Sequence, residues 1–188
     1  MNPEPVNVIR EEWDYLIILD ACRYDYFERF WKNYFTDGQL SHRWSPGSCT
    51  QEWRDRALPE KYDDIVYISA NPHFSIKQKG TAYQAGDHFF KVVEVWKSHW
   101  DTEIGTVRPE ALTDAAIAII HDQSLRNKRI IIHYLQPHAP YLASGIDSKG
   151  HSVADIKQRS GSIETYPNGG MLKVKAFLAK MFVGIFKH

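Results

Sequence analysis

The chain is 188 residues long, carries 23 basic and 23 acidic side chains, and is 43% hydrophobic and 24% charged, an ordinary composition for a globular domain. Its formal charge of zero supplies no global field to recruit nucleic acid, so no nucleic-acid partner is expected and any affinity for an anion has to be local. The two cysteines, Cys22 and Cys49, form no CxxC pair and are too few for a disulfide framework or a zinc knuckle, which fits a reducing compartment and a cytoplasmic location.

The amino terminus, MNPEPVNVIREEW, does not read as a signal peptide. The longest apolar runs stop far short of the ~20 residues that cross a bilayer, so no transmembrane segment is expected. Tyr15-Leu16-Ile17-Ile18-Leu19 is apolar without alternation and ends in Asp20, the pattern of a strand buried on both faces of a parallel sheet. Asp25, Tyr26, Phe27, Phe30, Trp31, Tyr34 and Phe35 then recur at three- and four-residue spacing, predicting a helix over 23–34 that Asp37-Gly38 stops. The turn-rich passage Ser45-Pro46-Gly47-Ser48-Cys49-Thr50 leads into a short helix over 51–58, with Thr50 placed to cap it and Trp53 facing inward.

Ile65-Val66-Tyr67-Ile68-Ser69, closed by Asn71-Pro72, reads as a second buried strand, and residues 89–96 as a third. Pro109 and Glu110 open a helix over 110–121, and Arg129 to Leu135 is the last clear strand. Short apolar strands alternating with helices predict an α/β core over 1–141, a mostly parallel sheet with helices on both faces. Residues 142–170 turn polar and irregular, as a functional loop or linker does. Residues 171–188 have the period of an amphipathic helix, with Val174, Phe177, Leu178, Met181, Phe182, Ile185 and Phe186 on one face. That face either packs on the sheet or docks on a membrane surface, a complementary chain or a second copy of the protein.

In an open α/β sheet the working groups stand beyond the carboxyl ends of the strands. Asp20 is such a group: a carboxylate there is costly unless it caps the next helix, pairs with Arg23, or binds a metal. Thr50 stands at a helix N-terminus, where free N–H groups and the helix dipole favour an anion, although Ser and Thr at that place are also common caps. Cys49 beside it reads as a small buried filler or as a nucleophile. His138, bracketed by Pro137 and Pro140, is held rigidly at the rim of the sheet.

Together these pieces resemble the alkaline phosphatase superfamily, and within it the sulfatase-like proteins. The resemblance is carried, in family order, by Asp14-Tyr15-Leu16-Ile17-Ile18-Leu19-Asp20-Ala21-Cys22-Arg23-Tyr24-Asp25, Ser45-Pro46-Gly47-Ser48-Cys49-Thr50-Gln51-Glu52-Trp53, Tyr67-Ile68-Ser69-Ala70-Asn71-Pro72, Thr106-Val107-Arg108-Pro109-Glu110 and His133-Tyr134-Leu135-Gln136-Pro137-His138-Ala139-Pro140-Tyr141. It implies a metal-dependent hydrolase or transferase of phosphate or sulfate esters. Asp20 would be a metal ligand, Thr50 both metal ligand and nucleophile, and His138 the group that contacts the ester. The cofactor would be a divalent cation, zinc, manganese, magnesium or calcium.

Two departures refine that expectation. Counted from Cys49, the C-x-[PA]-x-R signature of formylglycine sulfatases has Gln51 in place of proline or alanine and Trp53 in place of arginine, so a threonine nucleophile is expected instead. The family's later Asp-His-Gly is missing, since Asp87-His88 runs on into Phe89. The chain is therefore expected to be an incomplete, amino-terminal part of such an enzyme, active only if a second polypeptide or lost sequence supplies the remaining ligands. The alternative is a non-catalytic remnant or an anion-binding module acting through a partner chain.

Overall fold

Residues 7–142 are described in the computed structural model. The expected linker beyond Leu142 and the amphipathic helix over 171–188 lie outside the described residues. Four strands pair in the order β1 (Tyr15–Leu19), β6 (Arg129–Tyr134), β2 (Tyr62–Ser69), β3 (Phe89–Glu94), every pair parallel. The α/β architecture expected from the alternation of elements is therefore present.

Period-two alternation along the strands divides the core into two layers. On one face Val66, Ile68, Ile130 and Ile132 meet Leu112 and Ala116 of α5 (Pro109–Ile120) and Val95 and Trp96 of α4 (Val95–His99). On the other, Ile65, Tyr67 and Ile131 meet Ala57 and the half-buried Trp53 from α2 (Thr50–Ala57), Leu58 just after it, Ala85 of α3 (Ala85–His88), and Ile9 and Trp13. Helices thus cover both faces. Pro109 occupies the first turn of α5, where its missing N–H costs nothing. At the amino-terminal edge, Arg129 donates to Asp64 at 2.6 Å and to the Ile9 carbonyl at 3.1 Å while lying over the Trp13 ring, joining β6, β2 and the leading segment.

Several expectations change. β1 is half-buried along its whole length, because it forms an edge of the sheet among the described residues, where one flank lacks a neighbouring strand. The helix expected over 23–34 is shorter: α1 spans Tyr24–Phe30, a 3-10 turn follows at Trp31–Asn33, and neither buries a residue. Its aromatic spacing satisfies an amphipathic template, yet Tyr26, Phe30 and Tyr34 are exposed and only Phe35, just beyond, is buried. The third strand stops at Glu94 and turns directly into α4. A short antiparallel pair, β4 (Trp100–Asp101) with β5 (Thr106–Val107), was not anticipated, since two-residue strands leave no periodic signal.

This division has a measurable consequence. Ile132→Ala, at a position with no exposure, is expected to cost about 2–5 kcal/mol. By contrast Phe30→Ala, at a side chain 53% exposed, should stay within about 0.5 kcal/mol of the parent in urea titrations.

Candidate functional site

The carboxyl ends of β1, β2 and β6 lead into Asp20, Asn71 and the loop that carries His138. Asp20 prolongs the β1 ladder by donating its N–H to the Tyr134 carbonyl at 3.1 Å, and Ala70 does the same to His133 at 3.0 Å. Ala21 follows in the left-handed region at φ 58°, a conformation an alanine adopts only at a cost of about 1–2 kcal/mol. That turn sends the chain away from the sheet immediately after the carboxylate.

Three other elements bring polar groups to Asp20. Asn71 Nδ2 donates to Oδ2 at 2.6 Å. Thr50 Oγ1 lies 3.5 and 3.4 Å from Oδ1 and Oδ2, a contact longer than an ordinary O–H···O hydrogen bond. His133 Nε2 faces Oδ2 at 3.9 Å. Asn71 is 2% exposed and its amide is oriented by its own surroundings: Oδ1 accepts the His73 N–H at 2.9 Å, which commits Nδ2 to the carboxylate. The two sequence alternatives for Asp20 do not arise. Arg23 makes a two-pronged ion pair with Asp25 instead, and α1 begins without a side-chain cap.

Thr50 is held by the way its helix begins. It is the first helical residue and not the cap; Cys49 takes the cap position without a side-chain hydrogen bond, and its side chain is exposed rather than buried. The start of the helix is secured by Glu52, whose carboxylate accepts the Ser48 N–H and hydroxyl, each at 2.8 Å, and by Arg56, which donates to the Pro46 carbonyl at 2.7 Å. The Ser48 bonds hold the Glu52 carboxyl below its ordinary range. Gly47 makes this approach feasible, since a Cβ there would lie 2.2 Å from the Trp53 nitrogen. Thr50 is thereby relieved of capping and its hydroxyl turns to Asp20.

One turn further, Arg54 is 1% exposed. It is paired to Asp55, donates to the His73 carbonyl at 2.8 Å and lies over the Tyr83 ring, so α2 and the loop carrying Asn71 form one unit. Arg54 was not singled out from the sequence. An arginine between Glu52 and Asp55 on a short helix reads as part of a solvated face, so the sequence carries no signal of its burial.

His133 lies on β6 opposite Ile18 and Ser69, on the α2 side of the sheet. Burial pushes its pKa down to about 4; the Asp20 charge opposes that shift and His73 adds to it. Tyr67, which burial pushes well above the usual phenol range, meets His133 Nδ1 at 2.9 Å, and Phe74 packs edge-on against the ring. His138, in the loop after β6, is half-buried and donates from Nδ1 to the Ala139 carbonyl at 2.8 Å. Asp20 and Thr50 are thus brought into contact, while His138 stands at the same edge of the sheet. Asn71 and His133, which the quoted motifs include but to which no role was assigned, join them.

Taken by themselves, the Asp20 and Thr50 oxygens fit a hard divalent cation. Magnesium-type ions are commonly held by one or two carboxylates and leave positions for substrate oxygens and water. Asp20 and Thr50 offer a carboxylate and a hydroxyl within 3.5 Å of each other. Among the described residues no group of three His, Cys, Asp or Glu side chains is gathered, so these residues do not make a closed zinc cage. Comparison of the chain with protein-family models, curated proteins and solved structures finds no match.

Gly47→Ala would force the Ser45–Ser48 turn off α2 and is expected to lower stability by about 1–3 kcal/mol, read as a fall in Tm. A second expectation concerns pH. His133 binds its proton less readily folded than unfolded, so the unfolded state takes up more protons as pH falls from ~6.5 towards ~4. Stability should be intact above that window and decline through it by a few kcal/mol, and His133→Gln should flatten the decline in urea titrations run from pH 4 to 8.

Proposed function

We propose that the chain is a phosphate- or sulfate-ester hydrolase or transferase of the sulfatase-like type, with Thr50 as nucleophile. The observation that carries this is the Thr50 hydroxyl on the first turn of α2, 3.4 Å from a carboxylate at the carboxyl edge of a parallel sheet. A threonine at a helix start commonly spends its hydroxyl as a cap; Thr50, the first residue inside the helix, addresses Asp20 instead. Thr50 and Asp20 would hold the divalent cation, which supplies charge neutralisation and lowers the pKa of a hydroxyl beside it.

Thr50 Oγ1 bonds to phosphorus or sulfur as the bond to the ester oxygen breaks, and the hydroxyl proton passes by way of Asp20 to the departing oxygen. Water then cleaves the threonyl ester, releasing phosphate or sulfate and restoring the hydroxyl. Asn71 keeps the Asp20 carboxylate from rotating away. His138, at the rim, contacts the ester group. The N-terminal N–H groups of α2 favour the anionic group being transferred.

A second reading is favoured by the small number of protein ligands gathered among the described residues. In that reading the site around Asp20 and Thr50 binds an anionic ester without turning it over, or works only with a complementary chain. The two separate in one assay. With manganese, magnesium, zinc or calcium added, the full chain should hydrolyse an aryl phosphate or aryl sulfate, and Thr50→Ala should lower kcat by at least about 10³-fold. Mass spectrometry of acid-quenched samples should place the covalent ester on Thr50. Undiminished turnover in Thr50→Ala would overturn the nucleophile, and anion binding with no turnover under any cation would establish the second reading.

A further inference from the structure

The chemistry above leaves unused the most deeply buried polar pair beside Asp20. Tyr67 and His133 are 0% and 1% exposed and share a 2.9 Å hydrogen bond through Nδ1. The other ring nitrogen, Nε2, is directed at Asp20 Oδ2 from 3.9 Å. That gap is too long for a hydrogen bond. It falls just inside the ~4.2 Å sum of two metal–ligand bonds, so one ion can touch both atoms.

The ring has little freedom to do anything else. Phe74 packs edge-on at 5.0 Å, Tyr67 edge-on at 6.0 Å, and the β6 backbone is paired on both sides. A histidine ligand ordinarily has its second nitrogen held by a fixed partner, which sets the tautomer and the ring orientation. Tyr67 is that partner here. Its hydroxyl can donate to Nδ1 or, after rotating, accept from it. In the first arrangement Nε2 carries a proton towards the carboxylate; in the second Nε2 presents a lone pair. The imidazole stays neutral in both: Nε2 gives up one proton, Nδ1 gains one, and Tyr67 keeps its own.

We propose that His133 Nε2 is a third protein ligand of the cation that Asp20 and Thr50 hold, with Tyr67 as the positioning residue that sets its tautomer. This rests on the cation in the preceding functional reading, and it sharpens the cation's class. An oxygen–oxygen–nitrogen set with a neutral imidazole favours zinc-type ions over magnesium or calcium, which prefer oxygen alone.

The test reads nitrogen coordination directly, independently of turnover. The full chain, labelled with ¹⁵N-histidine and loaded with Mn²⁺ as probe, is examined by electron spin-echo envelope modulation, alongside calorimetry with Zn²⁺ and with Mg²⁺. Expected are imidazole-nitrogen modulation in the wild type, its loss in His133→Gln with at least ~10-fold weaker Zn²⁺ binding, and ~10-fold weaker Zn²⁺ binding in Tyr67→Phe with the modulation retained. His73→Gln and His138→Gln should keep the modulation. Its persistence in His133→Gln, its disappearance in His73→Gln or His138→Gln, its absence from the wild type, or the absence of cation binding would each overturn the proposal. Should His133→Gln fail to fold, ¹¹³Cd coupling to ring nitrogens in the wild-type ¹⁵N spectrum decides the same point: a coupled ring whose partner nitrogen faces Tyr67 supports it, and no coupling overturns it. Ester turnover without nitrogen coupling would leave the enzyme reading standing and remove this one; coupling without turnover would do the reverse.

Discussion

A carboxylate that water reaches only in part is expensive, and much of the carboxyl edge of this sheet is arranged around that cost. Asp20 follows five apolar residues, and water reaches it only in part, with 15% of its side chain exposed. Its partners come from elements far apart in the chain: an amide beyond β2, a hydroxyl on α2 and an imidazole on β6. Each is held by a further contact. The His73 N–H orients Asn71, the Ser48–Glu52 bonds secure the start of α2, and Tyr67 pins His133.

Parallel pairing is what makes this convergence possible. Because β1, β6 and β2 all run the same way, Asp20, His133 and Asn71 arrive at one edge. Alternation then puts Tyr67 and His133 on the face that α2 covers. The arginine on α2 locks the arrangement: Arg54 gives up nearly all contact with water to bind the His73 carbonyl, so the helix bearing Thr50 and the loop bearing Asn71 cannot separate without exposing a cost at both ends.

The three main strands and the long helix α5 were legible because burial imposes short apolar runs and proline marks a first turn. Thr50 and Asp20 were legible as candidates because a polar group at a strand end or a helix start is conspicuous. His133 and Asn71 were harder to see. Inside Ile-Ile-Ile-His-Tyr a histidine reads as part of a strand, and Asn71 before Pro72 reads as a turn. The aromatic spacing of α1 misled in the opposite direction, since periodicity records which residues share a face and says nothing of whether anything covers it.

Local pattern alone determined that this chain makes a parallel-type α/β core, where its first two core strands begin to be apolar, and that Asp20 and Thr50 stand at a strand end and at a helix start. Those features depend on neighbours within a few residues, which sequence displays directly. Only the tertiary structure decided that the Thr50 hydroxyl turns from its helix to Asp20, that Asn71 and His133 join them, and that the first strand lies at an edge of the sheet. Contacts between residues 30 to more than 100 positions apart are set by strand order and register, and those are properties of the packed sheet as a whole.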